Sequence, residues 1–208
     1  MIDELTRTTR PLDPAAWWRR TCWIPGTRIA LSGDLPTNPT ARHMHLERWV
    51  ADGIDHIIDV RIEHSDELAV AALQPQVQYH WLGVDDDGGD QPDEWFAAGV
   101  DAALEAMGDP TSHVMVHCHM GVNRGPSMGL AILLAMGWEP LEALDSIRRV
   151  RPIAGLLYAE QALDWWHRTN LIPNHSAAEE LTRVRQWLAD NTADTDWIIS
   201  RIWQSGAA

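Results

Sequence analysis

A cysteine and an arginine separated by five residues dominate the chemistry open to this sequence, in the stretch His117-Cys118-His119-Met120-Gly121-Val122-Asn123-Arg124. The apolar run Val114-Met115-Val116 before it reads as a strand, and the run Met128 to Met136 after it reads as a helix. A turn from a strand into a helix N-terminus points successive backbone N–H groups inward and makes an anion cradle. Gly121 and Gly125 permit the backbone angles this needs, and Pro126 suits the first helical position, where no N–H is required. A thiol at the start of such a loop faces those N–H groups, the helix dipole and a guanidinium, all of which favour thiolate, so Cys118 is expected to have a lowered pKa and to act as a nucleophile. Arg124 lies far enough along for the chain to wrap an anion and return, and its planar fork can hold two phosphate oxygens as charge spreads over them. His119, Met120, Gly121, Val122, Asn123 and Arg124 are therefore the candidate substrate-binding segment.

Several elements must position that loop. Residues 1–20 read as a loose, charged, Pro-broken arm, and Trp23-Ile24-Pro25 with Arg28 to Leu31 reads as a short first strand. A helix follows over Thr40 to Asp52, capped by Gly53, and then a buried strand over Ile54 to Val60. A turn-rich stretch leads to a strand over Tyr79 to Val84, which runs into the acidic loop Asp85-Asp86-Asp87-Gly88-Gly89-Asp90. Amphipathic helices are expected over Pro92 to Met107, Pro140 to Val150 and Tyr158 to His167, with a helical tail over Ala177 to Trp203. Strands alternating with helices predict an α/β fold with a central, mainly parallel sheet flanked by helices. The expected organisation is an arm (1–20), a catalytic domain (21–172) and a helical C-terminal extension (173–208).

Composition narrows the partners. The formal net charge is −14, and all 16 basic residues are Arg. Such a field disfavours nucleic acid or an anionic membrane, since both need clustered cations, so neither is expected as a partner. No apolar run is long enough for a membrane span, no signal segment is evident, and Cys22 and Cys118 form no metal-type CxxC pair, which together suggest a reducing, cytoplasmic setting. Cys22 reads as a small buried hydrophobe, and His117-Cys118-His119 gives at most a partial metal-ligand set, so no metal or cofactor is expected. The twelve Trp read mainly as core and interface residues.

The loop resembles the signature of the cysteine-dependent phosphatases, His-Cys, five residues, then Arg, and in particular the dual-specificity branch. The resemblance runs from about Trp23 to Asn170, with Trp81-Leu82-Gly83-Val84 and the acidic loop similar to the family's acid loop, and Arg151-Pro152-Ile153 similar to another recurrent element. It implies a cysteinyl-phosphate intermediate, formed as an Asp protonates the leaving oxygen and hydrolysed as the same Asp activates water. Asp85, Asp86 and Asp87 stand at the family's separation from the nucleophile; Asp87 is preferred for its spacing to Pro92, with Asp86 close behind. His117 resembles the family histidine that tunes the cysteine by hydrogen bonding.

One position departs from the pattern: the family's Ser or Thr after the arginine, whose hydroxyl helps the thiolate leave, is here Gly125, with Ser127 two residues on. A phosphate-binding pseudophosphatase is thus the alternative to an active enzyme, with a sulfur-transferring or arsenate-reducing enzyme behind it. The absence of a permanent cation between Cys118 and Arg124 favours a singly phosphorylated protein side chain (phosphotyrosine, phosphoserine or phosphothreonine), then a small metabolite or lipid phosphate, over a polyphosphorylated lipid headgroup. The apolar positions of the tail, Leu181, Val184, Trp187, Leu188, Ile198, Ile199 and Ile202, could pack on their own domain or form a homodimer.

Overall fold

The computed structural model describes residues 14–205. The chain alternates strands and helices: β1 (Cys22–Trp23), β2 (Ile29–Ser32), α1 (Pro39–Ala51), β3 (His56–Arg61), α2 (Glu67–Leu73), β4 (Gln78–Val84), α3 (Asp93–Met107), β5 (Val114–His117), α4 (Arg124–Ala135), α5 (Pro140–Val150), α6 (Ala159–Thr169), α7 (Asn174–Asp190) and α8 (Thr195–Gln204). The five strands form one sheet in the order β1-β2-β5-β3-β4, in which β2, β5, β3 and β4 are parallel and β1 is antiparallel. This is the α/β architecture that the periodicity predicts.

Side-chain alternation along the central strands divides the core in two. Ile29, Leu31, Ile58, Val60, Val114 and Val116 face the larger cluster, built with α3 to α6, whereas Ala30, Ile57 and Met115 face a smaller one with Leu46, Trp49 and Val70 of α1 and α2. The α4 helix runs through the larger cluster and is buried along its whole length from Arg124 to Leu134. Its first turn therefore places Arg124 inside the protein, directly above the ends of β5 and β3.

Four expectations change. The first strand is a hairpin of β1 and β2, turning at Gly26, whose φ of +76° suits glycine. The turn-rich stretch contains α2, which the pattern concealed because Val70 is its one buried residue. The helix after the loop begins at Arg124 rather than Met128, so Pro126 occupies the third helical position, still within the first turn, where its missing N–H costs no helical bond. Of the supposed loose arm, residues 1–13 lie outside the described residues, but Pro14–Arg19 forms a 3₁₀ helix whose Trp18 is fully buried. In the C-terminal extension, Val184 joins the main core, and Ile198 and Ile202 are buried with Trp18 and Val122.

Candidate active site

The loop between β5 and α4 closes around Cys118. Its sulfur accepts backbone N–H groups from Gly121 and Gly125, and it lies within the influence of the Arg124 guanidinium. Gly121 adopts φ of +64°, and a side chain there would collide with Arg151 and the Ser32 carbonyl, so this glycine is demanded by both angle and space. Arg151, buried after α5, donates to the carbonyls of Gly121, Met120 (3.1 Å) and Trp18 (2.7 Å). By turning carbonyls outward, it leaves the loop's N–H groups facing the anion site.

Arg124 is held from several sides. Glu63, in the loop after β3, accepts from both terminal nitrogens, Nη1 at 2.9 Å and Nη2 at 2.6 Å, and Val84 O accepts from Nη1 at 2.8 Å. The buried Nε makes no hydrogen bond and pairs with Asp86 Oδ2 at 3.5 Å. The Glu63 carboxyl, which burial alone would raise, is held below its ordinary value chiefly by its hydrogen bonds from Arg124.

These charges change one expectation. Burial pushes the Cys118 thiol above its ordinary pKa, and the pull of Arg124 and of the Gly125 and Gly121 N–H groups does not reverse it, partly because Asp86 opposes ionisation. Arg124 is the strongest of the groups favouring the thiolate, and burial outweighs it. The direction is thus opposite to the lowering expected from the loop pattern.

The acidic triplet is divided by its partners. Asp86 turns inward, where its Oδ1 accepts from Tyr158 Oη at 2.9 Å and its Oδ2 faces Arg124. Asp87 instead accepts from Gly89 N at 2.8 Å, closing its own turn. Asp85 contributes its carbonyl, which accepts from Gln91 Nε2 at 3.0 Å. The residues around the start of α6 clasp this loop, since Gly88 N donates to Tyr158 Oη at 3.3 Å and Gln91 N to Gln161 Oε1 at 2.8 Å. Burial first, then the nearby Asp86 carboxylate, pushes the Tyr158 phenol up to about 12, so it stays a donor to Asp86. The structure therefore brings Asp86, not the preferred Asp87, to Arg124.

His117 also departs from expectation. Strand alternation sends its ring toward Trp49 (centroids 5.5 Å apart) on the opposite face from Cys118, and neither ring nitrogen has a hydrogen-bond partner. Burial lowers its pKa, opposed by Asp59, whose Oδ2 stands 3.9 Å from Nε2. His119, by contrast, is tied down: its Nδ1 lies 2.7 Å from Asp34 Oδ2, and Asp34 is held by Arg19 (2.9 Å) and Arg61 (3.3 Å). Burial would raise the Asp34 carboxyl, but His119 and the two arginines together keep it below its ordinary value, and Asp34 accepts the Nδ1 proton. Met120 packs beside Val122 in the cluster with α8, and Asn123 is buried at the N-cap of α4.

Glu63, Tyr158, Asp34 and Gln161 were not singled out from the sequence, because each acts through contacts far along the chain that leave no local pattern. Arg151 carried a signal, its place in Arg151-Pro152-Ile153, but not its task.

No family model and no curated protein matches the chain. Solved structures do. Human DUSP28 superposes with a TM-score of 0.59 at 16% identity, over 77% of this chain and 98% of that one. Tk-PTP in its active form gives 0.56 at 21% identity, over 73% and 98%. PTPMT1 in complex with PI(5)P gives 0.53 at 21% identity, over 68% and 94%. The chain has the fold of these phosphatases.

Proposed function

We propose that this chain hydrolyses phosphate monoesters through a cysteinyl-phosphate. The observation that carries the reading is the convergence around Cys118 Sγ of the Gly121 and Gly125 N–H groups, Arg124, whose Nε makes no hydrogen bond, and Asp86. An anion seated there takes hydrogen bonds from the loop and from Arg124 Nε, and orients its phosphorus toward the sulfur. In the first step Cys118 loses its proton to solvent and attacks phosphorus as the thiolate, the P–O ester bond breaks, and protonated Asp86 gives its proton to the departing alkoxide. In the second, Asp86 takes a proton from water as the oxygen attacks phosphorus. The S–P bond then breaks, releasing phosphate and restoring the thiolate.

His119 to Asn123 carry no permanent cation, which supports a singly phosphorylated group, phosphotyrosine, phosphoserine or phosphothreonine, over a polyphosphorylated lipid head. One observation favours a second reading, phosphate binding with slow turnover: Gly125 offers no hydroxyl to the leaving sulfur, and Ser127 Oγ bonds to Tyr158 N at 3.2 Å. Steady-state hydrolysis of an aryl phosphate by the wild type and by Cys118→Ser separates the two. Turnover by the wild type and none by the variant supports an active enzyme. Equal rates in both contradict it.

A further inference from the structure

We infer that Trp203 of the C-terminal helix forms, with His119, one wall of the substrate site and favours phosphate esters of aromatic alcohols over aliphatic ones. The inference rests on the phosphate pocket described above and assigns the side chain that contacts the rest of the ester.

His119 follows the nucleophile directly and is a fixed surface, because Asp34 holds its Nδ1. Its ring has two aromatic neighbours, each at a centroid distance of 6.2 Å: Trp18, edge-on, and Trp203, tilted by 58°. Trp18 is fully buried, whereas Trp203 is 58% exposed, so one side of the pair ends in protein and the other in solvent.

The position of Trp203 is set by the loop itself. Ile198 and Ile202 of α8 are buried with Val122, and at Gly155 a side chain would run into both Asn123 of the loop and Thr195 of α8. The helix is thus packed onto the segment between Cys118 and Arg124, and it carries a large, half-open aromatic face next to it. The other exposed Trp of α8, Trp197, has Arg201 over its ring at 5.9 Å and serves as a control on the same helix. An aromatic ester bound at phosphorus can set its ring offset or edge-on against Trp203, while an aliphatic chain gains only contact area.

Calorimetric binding of phenylphosphonate and methylphosphonate, neither of which can be turned over, tests this without depending on catalysis. Trp203→Ala is expected to weaken phenylphosphonate about three- to tenfold, the range for one aromatic pair, and to leave methylphosphonate within about twofold. Trp203→Phe should restore most of the loss, and Trp197→Ala should change neither ligand. An unchanged phenyl-to-methyl ratio in Trp203→Ala, or equal weakening of both ligands, overturns the inference. Absence of turnover in the wild type would overturn the proposed function while the binding ratio still decides the role of Trp203.

Discussion

The Glu63 carboxylate spans both terminal nitrogens of Arg124, at 2.9 and 2.6 Å, and leaves the Nε edge to Asp86. The pairing orients the guanidinium and brings a negative charge to the group that most favours the thiolate of Cys118, whose thiol burial holds above its ordinary pKa. Removing the carboxylate charge should therefore favour the thiolate. In Glu63→Gln the pH midpoint for alkylation of Cys118 by iodoacetamide should fall by about one unit, equivalent to about 1.4 kcal/mol. A midpoint that stays or rises would show that Glu63 does not set the charge felt by the sulfur.

The acid is the second point of test. Asp86→Asn should lower turnover about a hundredfold or more on alkyl phosphates, which need a proton on the leaving oxygen, and less on activated aryl esters. Asp87→Asn, which disturbs only the turn at Gly89, should have a small effect on both. Should the leaving-group pattern follow Asp87 instead, the inward turn of Asp86 is not the catalytic geometry.

Arg151 supports the loop from behind. Arg151→Met leaves the carbonyls of Gly121, Met120 and Trp18 without a charged donor, each such bond contributing roughly 1.5–3 kcal/mol. Denaturant unfolding should show a loss of about 3 kcal/mol or more, and vanadate should bind more weakly to the remaining folded protein. Wild-type stability together with wild-type vanadate affinity would contradict the buttress.

These contrasts define what was legible in the sequence. The order of strands and helices, the loop and its paired Cys118 and Arg124 follow from local periodicity and spacing, and the structure bears out the fold. Choosing among Asp85, Asp86 and Asp87 could not follow from spacing, because adjacent residues in a turn point different ways and only Tyr158, far along the chain, selects one. The pKa direction of Cys118 differs for a related reason: the pattern counts the groups that favour thiolate but not the burial and the Asp86 carboxylate that oppose them. His117 shows the same limit, since strand alternation turns its ring away from the residue it was expected to tune.

At Gly125 the second chemical step should be the slow one. An activated aryl phosphate should give a burst of phenol near one equivalent per site, followed by slower release. Gly125→Ser should shrink the burst and raise the steady rate, provided the loop yields slightly, since a Cβ there would stand 3.2 Å from Cys118 N. Vanadate affinity reports on that proviso. A parent without a burst, and a serine variant that binds vanadate normally yet turns over no faster, would assign thiolate release to another group.

The central claim is that phosphorus becomes bonded to Cys118, and acid-quenching the enzyme during turnover of an activated aryl phosphate tests it directly. Peptide mass spectrometry of the quenched wild type should find one phosphoryl group on the peptide containing Cys118, and none on that peptide from Cys118→Ser. Product formation with no phosphoryl group on Cys118, at times when Gly125 should make it accumulate, would contradict the account.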